Sequence, residues 1–300
     1  MSIGSGAAAA VIDAETMLRS FTVIALGDYE LKSHTPGAVF VGGDFKADQS
    51  INGGVSNATV GGVNGTLIVG GNVTGGGQTT INGNVAIGGE ITSGTTVNVN
   101  GGAVTTGADV PVAGVRAAMH GLSDSLSQLA GTAGTSFSGD SNNPRLNVGP
   151  AGADGIAVVN FDADDLGFLF GGNPGIDFSG GPVTTIINVG GESIEFGRNL
   201  NGFTGSNNVI FNFHEALEVV LNGPFAASIL APGADIWVNT GGANNFIVGN
   251  DIVQSAEVRL PFSGDLPDMT PPSSIPLPAA GWLLIAGLGA LAAMARRRSA

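Results

Sequence analysis

Hydrophobic positions in the first half of the chain come in bursts of two or three, cut by glycine and asparagine. Phe40-Val-Gly-Gly-Asp-Phe45, Thr59-Val-Gly-Gly-Val-Asn64, Ile68-Val-Gly-Gly-Asn-Val73 and Ala86-Ile-Gly-Gly-Glu-Ile91 put an apolar residue before Gly-Gly at 41, 60, 69 and 87. The intervals are 19, 9 and 18, close to multiples of nine. Between them lie Asn52-Gly53, Asn64-Gly65, Asn82-Gly83 and Asn100-Gly101. Such pairs tolerate φ > 0 and turn the chain sharply. The strands this leaves are too short for an ordinary meander. Coils of about 18 residues, with Gly/Asn corners and a core formed only by stacking, describe a β-solenoid.

The expected fold is therefore mainly β: a parallel β-helix (β-solenoid) with one flanking α-helix, plus a C-terminal transmembrane helix. The alternative is a series of Asn-Gly hairpins in an antiparallel sandwich. A calcium-binding nonapeptide roll shares the period of nine, but its G-G-x-G-x-D pattern is missing. The second half resumes with segments rich in Val, Ile and Phe at 184–190, 209–213, 217–221, 225–230, 235–239 and 245–249. Between the halves, Val112, Val115, Met119, Leu122, Leu126 and Leu129 recur at three and four residues, which predicts a helix over 112–129 packed along the solenoid's flank. Thr135 to Pro150 reads as a loop. Pro261 to Ser274, with four prolines, reads as a stiff extended spacer.

Composition sharpens this. Glycine accounts for 51 of 300 residues, only 11% are charged, and there is no cysteine, hence no disulfide framework and no thiolate chemistry. All 24 acidic residues precede Ile275, against seven basic ones, a formal −17 for that stretch. So acidic a body repels phosphate, and no nucleic-acid partner is expected.

The C-terminus differs in kind. Ala279 to Ala295 is 17 residues without a charge, about 25 Å as a helix, the lower limit for a bilayer. Trp282 stands near one end, where an indole favours the interface; Arg296, Arg297 and Arg298 close the other and by the positive-inside tendency stay cytoplasmic. Pro276 and Pro278 hold the entry extended. A short proline motif, an apolar helix and an arginine cluster in this order resemble the VPLPA-CTERM sorting signal, a variant of the PEP-CTERM signals of Gram-negative bacteria. Ile275 replaces the usual valine, while Pro276, Leu277, Pro278 and Ala279 match. The resemblance implies that an exosortase-type membrane protease cuts near the proline motif, so that the helix anchors the protein in the inner membrane only transiently. An exported protein also needs a signal peptide. In the N-terminal segment 1–20, residues 1–12 have no Lys or Arg and only a short apolar stretch, so a start placed too far downstream, or a signal already removed, is expected.

A second likeness covers residues 21–260. Phe21-Thr-Val-Ile-Ala-Leu-Gly-Asp28, Ala38-Val-Phe-Val-Gly-Gly-Asp-Phe45, Val209-Ile-Phe-Asn-Phe-His-Glu-Ala216, Ser228-Ile-Leu-Ala-Pro-Gly-Ala-Asp235 and Asn244-Asn-Phe-Ile-Val-Gly249 together resemble the choice-of-anchor A domain. That family is joined to different surface anchors in different bacteria. It implies an adhesive surface domain, and it supplies no catalytic residue to carry over.

The sequence carries no recognisable catalytic or metal-binding motif. His34, His120 and His214 have no ligand spacing. Asp162, Asp164 and Asp165 read as a solvated acidic turn, and Arg145, Arg198 and Arg259 are scattered. No cofactor is expected, and a divalent cation at most as a weak bridge to polysaccharide. The reading is an exported, non-enzymatic adhesin or extracellular matrix component at the cell surface or outer envelope, binding polysaccharide or another surface. Two alternatives stand beside it. A polysaccharide-active β-helix enzyme requires a cleft of carboxylates with Arg or Lys. An ice- or surface-binding protein requires paired threonines, such as Thr79-Thr80, Thr95-Thr96 and Thr105-Thr106, aligned on one flat face.

Overall fold

The computed structural model describes residues 12–47, 51, 57–161, 163–172, 174–178, 181–198 and 208–268. The chain divides into two compact units, Met1–Leu266 and Pro267–Ala300. The sorting motif Pro276–Ala279, together with Trp282 and Arg296 to Arg298, lies outside the described residues. Among the described residues no helix is long and apolar enough to cross a membrane.

The first unit is built from short parallel strands stacked as coils. One sheet has ten: β1 (Phe21–Ala25), β2 (Ala38–Val41), β3 (Leu67–Val69), β4 (Val85–Ile87), β5 (Val104–Thr106), β6 (Ile156–Phe161), β7 (Thr184–Val189), β8 (Val209–Asn212), β9 (Ser228–Ala231) and β10 (Ile247–Gly249). Their spatial order is β5-β4-β3-β2-β1-β10-β9-β8-β7-β6, all parallel. The chain thus begins in the middle of the stack. It builds outward to one end, crosses by a helix, and builds back until β10 pairs with β1, in the register Val23 to Ile247, Ile24 to Val248 and Ala25 to Gly249. A second parallel sheet has seven strands, ordered Ser193–Phe196, Glu218–Leu221, Asp235–Val238, Ile252–Gln254, Tyr29–Leu31, Phe45–Ala47 and Val73–Thr74. Gln78–Asn82 and Thr96–Asn100 pair in parallel as a third. The stacked, solenoid-like β architecture expected from the spacing is present.

The corners explain the Val-Gly-Gly repeats. A Cβ on Gly42, Gly70 or Gly88 would lie 2.2, 2.4 or 2.3 Å from the carbonyl oxygen of Leu26, Gly42 or Gly70 in the preceding coil. The glycines are there because coils close-pack at the corner, not because φ is positive. The repeat at 60 is different. Gly61 and Gly62 have φ of 55° and 85° and turn an antiparallel hairpin, Ala58–Val60 with Val63–Gly65. Two positive φ values match the right-handed twist of a hairpin, so the same three letters make a turn instead of a coil corner.

Three helices are present among the described residues where one was expected. The foreseen one is α2 (Val112–Ser127); α1 (Ala14–Ser20) precedes β1, and α3 (Ala163–Gly171) caps one end of the stack. Residues pointing into the coil, such as Val23, Val39, Leu67, Ile187, Phe211 and Ile229, form the core. Their neighbours pointing out of the long sheet, Ile24, Phe40, Ile68, Ile210, Leu230 and Val248, are equally buried. Met17 and Leu18 of α1, and Val115, Met119, Leu122 and Leu126 of α2, supply the buried apolar faces that cover this side.

Polar groups fix the helix in place. Asn160, Asn188 and Asn212 stand in register on β6, β7 and β8. Their amides donate to the terminal carbonyls of the helical segment: Asn212 Nδ2 to Ser123 O (2.9 Å), Asn188 Nδ2 to Leu126 O (2.8 Å) and Asn160 Nδ2 to Leu129 O (2.8 Å). The bonds fall at the C-terminal end of the helical segment, where intrahelical partners run out. Arg116 of α2 reaches the seam between the first and last coils, donating to Leu26 O at 2.7 Å and Asn250 Oδ1 at 3.3 Å.

Three other expectations are corrected. The presumed loop at 135–150 contains a hairpin, Ser136–Gly139 with Pro144–Val148, because Leu146 and Val148 alternate into the core and Asp140 caps the turn through the N–H groups of Asn142 and Asn143. Asp164 and Asp165 lie in the first turn of α3, where carboxylates complement the helix dipole, rather than in an acidic turn; Asp162 lies outside the described residues. The spacer does not begin free at Pro261. Phe262 is buried, its N–H bonded to Leu18 O, and Asp265 pairs with Arg19 at 2.9 Å.

Beside the seam, the buried Tyr29 Oη donates to the buried Gln254 Oε1 at 2.6 Å, and Gln254 Nε2 donates to the backbone carbonyl of the exposed His34 at 3.0 Å. Burial pushes the Tyr29 phenol well above the ordinary tyrosine range, and the hydrogen bond with Thr35 opposes this only in part. A phenol raised on folding stabilises the fold below the unfolded tyrosine pKa, and that contribution is lost as pH rises. Tyr29 is the only tyrosine. Phenolate ultraviolet absorbance is therefore expected to appear only together with alkaline unfolding followed by circular dichroism; a separate titration of folded protein at the ordinary value would contradict the burial. Two glycines should respond to alanine with opposite signs. Gly70→Ala overpacks a corner and should cost about 1–3 kcal/mol in urea unfolding. Gly121→Ala, exposed on α2 with open space around it, should gain about 0.5–1 kcal/mol.

Candidate functional site: the exposed face of the seven-stranded sheet

With the long sheet covered on its outer side, the seven-stranded sheet is the largest one whose outward pleat meets solvent. Its register aligns one residue from each strand into a row: Glu195, Val220, Trp237, Val253, Glu30, Lys46 and Thr74. At the usual strand spacing this row runs about 29 Å. Val220, Trp237 and Val253 are half-buried in its middle, with Glu195 exposed beyond them on one side and Lys46 on the other. The indole thus stands on a flat apolar strip between charged ends, a group suited to stacking with a polar handle at its rim.

A second row follows the corner. Asp235, Asp251, Asp28, Asp44 and Asn72 occupy equivalent positions in five successive coils. Each Oδ1 accepts the backbone N–H of the next: Asp251 N–H to Asp235 (3.2 Å), Asp28 N–H to Asp251, Asp44 N–H to Asp28 and Asn72 N–H to Asp44 (2.7 Å each), then Glu90 N–H to Asn72 (3.1 Å). This gives the acidic residue after each corner a structural task, since these N–H groups have no strand partner. Charge-assisted hydrogen bonds offset the repulsion between stacked carboxylates. On the opposite side, Asn222 Nδ2 donates to Glu195 Oε1 at 2.8 Å and Asn239 Nδ2 to Asn222 Oδ1 at 2.9 Å, a ladder of the same kind. The whole face is strongly acidic, relieved by Lys46 and Lys32, which both pair with Glu30.

The other chemistry foreseen is placed elsewhere. His34, His120 and His214 are not brought together, and among the described residues no three metal-capable side chains converge. A cavity of ≈ 770 Å³ beside α1 is lined by Arg19 and Arg259. Both guanidiniums are engaged, Arg19 with Glu15 and Asp265, Arg259 with Glu257 at 2.9 Å. The threonine pairs do not align: Thr79 points inward opposite Val97, Thr80 faces Asn98, and Thr96 stands opposite Gln78. Trp237 and its row were missed from the sequence. The Val- and Ile-rich segments 217–221 and 235–239 were legible as strands, but their alignment with Glu30 and Lys46 depends on the first coil docking on the last.

The seven-stranded sheet thus presents an ordered, solvent-facing β surface with an aromatic side chain at its centre. Residues 14–260 match the family model described as "Putative Ice-binding-like adhesive domain", well over half of the chain, and the protein belongs to that family. A solved structure of a glycosylated ice-binding protein (LeIBP) from an Arctic yeast is similar at 12% identity, with a TM-score of 0.37, over 87% of this chain and 99% of that one. No curated protein matches. Membership of an adhesive family supports a surface-binding, non-enzymatic role.

Lys46, and secondarily Lys32, hold the Glu30 carboxyl below the usual glutamate range against the opposing effect of burial. A depressed carboxyl stabilises the fold above its unfolded pKa, and this is lost as pH falls through the folded value. In Lys46→Met the Glu30 titration, followed by carboxyl-carbon NMR, should move up towards the ordinary value. An unmoved titration would show that the pair does not set the charge of this face.

Proposed function

We propose that this protein is an exported, surface-anchored bacterial adhesin or extracellular matrix component of the choice-of-anchor A type, and that the seven-stranded face is its contact surface. The observation that carries the reading is the row centred on Trp237, a half-exposed indole on a rigid flat sheet, in a chain of adhesive family. Sugar rings suit this chemistry: the indole and flanking valines offer an apolar platform, and the surrounding carboxylates and asparagines offer acceptors and donors for hydroxyls. Divalent cations can bridge those carboxylates to acidic polysaccharide. Ice-binding is the second reading, favoured by the family description. Against it, the exposed face carries strongly hydrated charges and no aligned threonines. The C-terminal motif from Pro276 to Ala279, the apolar run and Arg296 to Arg298 act, in this proposal, as a VPLPA-CTERM signal read by an exosortase-type protease in the inner membrane of a Gram-negative cell.

Two experiments test the proposal. Retention of the chain on neutral and acidic polysaccharide films, with and without calcium, should fall at least about tenfold in Trp237→Ala, the effect expected for loss of a central aromatic anchor. Thermal unfolding should be unchanged. Full retention removes the face from consideration, and thermal hysteresis in place of polysaccharide binding would favour the ice reading. Mass spectrometry of surface material from native cells should show a C-terminus lying before Arg296; an intact arginine cluster there refutes sorting by cleavage.

A further inference from the structure

The two ends of the stack are treated differently. One is closed: α3 places Leu166, Leu169 and Phe170 in the core, and the hairpin Ser136–Val148 packs beside it. At the other, the last coil spans Ile91 to Ala108, and among the described residues nothing pairs with the outer edges of Thr96–Asn100 or β5. Val97 and Val99 are half-buried, packed against the end of the core, while Thr96 and Asn100 are exposed on the outward side. Natural sheets guard such an edge with lysine, proline or a bulge. This coil has none, and in a chain of formal charge −14 it carries no charged residue from Ile91 to Ala108.

Hydrogen bonding decides what the edge offers. Thr96 N–H is bonded inward to Gly77 O, and Asn100 O accepts from Gly83 N–H. Backbone groups alternate along a strand, so 96, 98 and 100 bond to the coil beneath and Val97 and Val99 turn their N–H and C=O groups to the open edge. We infer that this end is a self-association site at which a second copy of the chain docks end to end, Thr96–Asn100 pairing antiparallel with its counterpart about a two-fold axis through Asn98. A two-fold across the end of a coil reverses the strand direction, so the pairing must be antiparallel. In that register Val97 lies opposite the other copy's Val99, and each such pair exchanges both its N–H···O bonds. The same register stacks valine on valine inward, continuing the core, and leaves Thr96, Asn98 and Asn100 outward. This register pairs the whole of Thr96–Asn100, keeps both valines on the core side, and sets no charge of one copy against the other. The inference stands whether or not the seven-stranded face binds anything.

At the axis, Asn98 faces its own copy in a non-hydrogen-bonded pair, with Cα atoms about 4.5 Å apart. That is within the range a disulfide spans, about 4.4–6.8 Å, and the chain has no native cysteine. The full chain, kept in a mild non-ionic detergent because of its apolar C-terminal run, should sediment as a concentration-dependent dimer. Asn98→Cys should cross-link under mild oxidation. Thr80→Cys, one coil deeper on the same row, should not. Asn98→Lys places like charges at the axis and should weaken dimerisation about tenfold or more with unchanged thermal unfolding. A wild-type monomer at every concentration reached overturns the inference. So does a dimer indifferent to Asn98→Lys, which would place association in the tail or another surface, and so does Asn98→Cys cross-linking no faster than Thr80→Cys.

Discussion

The ladder between β1 and β10 holds the rest of the structure in place. Each coil buries its apolar side chains only against the coils above and below, so a stack built outward from the middle has two inner ends that must meet. They meet at Val23 to Ile247 and Ile24 to Val248 on one sheet, and at Tyr29 to Ile252 and Leu31 to Gln254 on the other. Several polar groups tie that seam together, although the buried Thr22 hydroxyl in β1 has no partner. Asp251 accepts from Asp28 N–H, Arg116 ties Leu26 to Asn250, and Gln254 joins Tyr29 to His34. Two half-stacks that failed to dock would each expose a hydrophobic end and an unpaired edge. The contact is also distant in sequence, so its loop entropy is met late, and slow folding follows for this topology.

Closing the seam also decides which surface can work. The chain must cross from one end of the stack to the other, and α2 is that crossing. Its apolar stripe covers the long sheet, and the asparagines of β6 to β8 donate to carbonyls at its C-terminal end. The face opposite is left open, and the first coil contributes Glu30 to it, the second Lys46, and the returning half Trp237 and Val253. Inward residues carry the core and outward ones carry the chemistry, so the outer row is free of packing constraints that would limit what it displays. The acidic corner ladder is different. Its carboxylates cap backbone N–H groups, so they serve stability first and give the face its charge as a consequence.

What was readable in the sequence follows from the range of each interaction. The Val-Gly-Gly corners, the Asn-Gly turns at Gly83 and Gly101, and the apolar stripe of α2 are local patterns, and they announced a stacked β architecture with a lateral helix. Local patterns also misled. Thr59 to Asn64 copies a corner repeat in letters but forms a hairpin, because two adjacent glycines adopt whichever φ the surroundings require. The hairpin at Ser136–Val148 hid behind polar turn residues, although Leu146 and Val148 carried the period of two. The order of the coils was not legible at all, since nothing local says that residue 24 pairs with residue 248. The row around Trp237 inherits that illegibility, being composed of residues from both halves.

The terminal coil raises a last question: why a protein that guards one end so fully would leave the other plain. An edge strand exposes N–H and C=O groups whose burial without partners is costly, and in water they remain satisfied only while nothing better is offered. A charge on Asn98 would protect it with no loss of packing, since that side chain points away from the core. The chain uses charge freely elsewhere on its surface, in Lys46, Glu195 and Glu218. Leaving eighteen consecutive residues uncharged, with valines alternating inward and amides outward, keeps the end compatible with its own copy. In such a pair the two seven-stranded faces would be carried by one continuous stack, and weak contacts to a repetitive surface would act together.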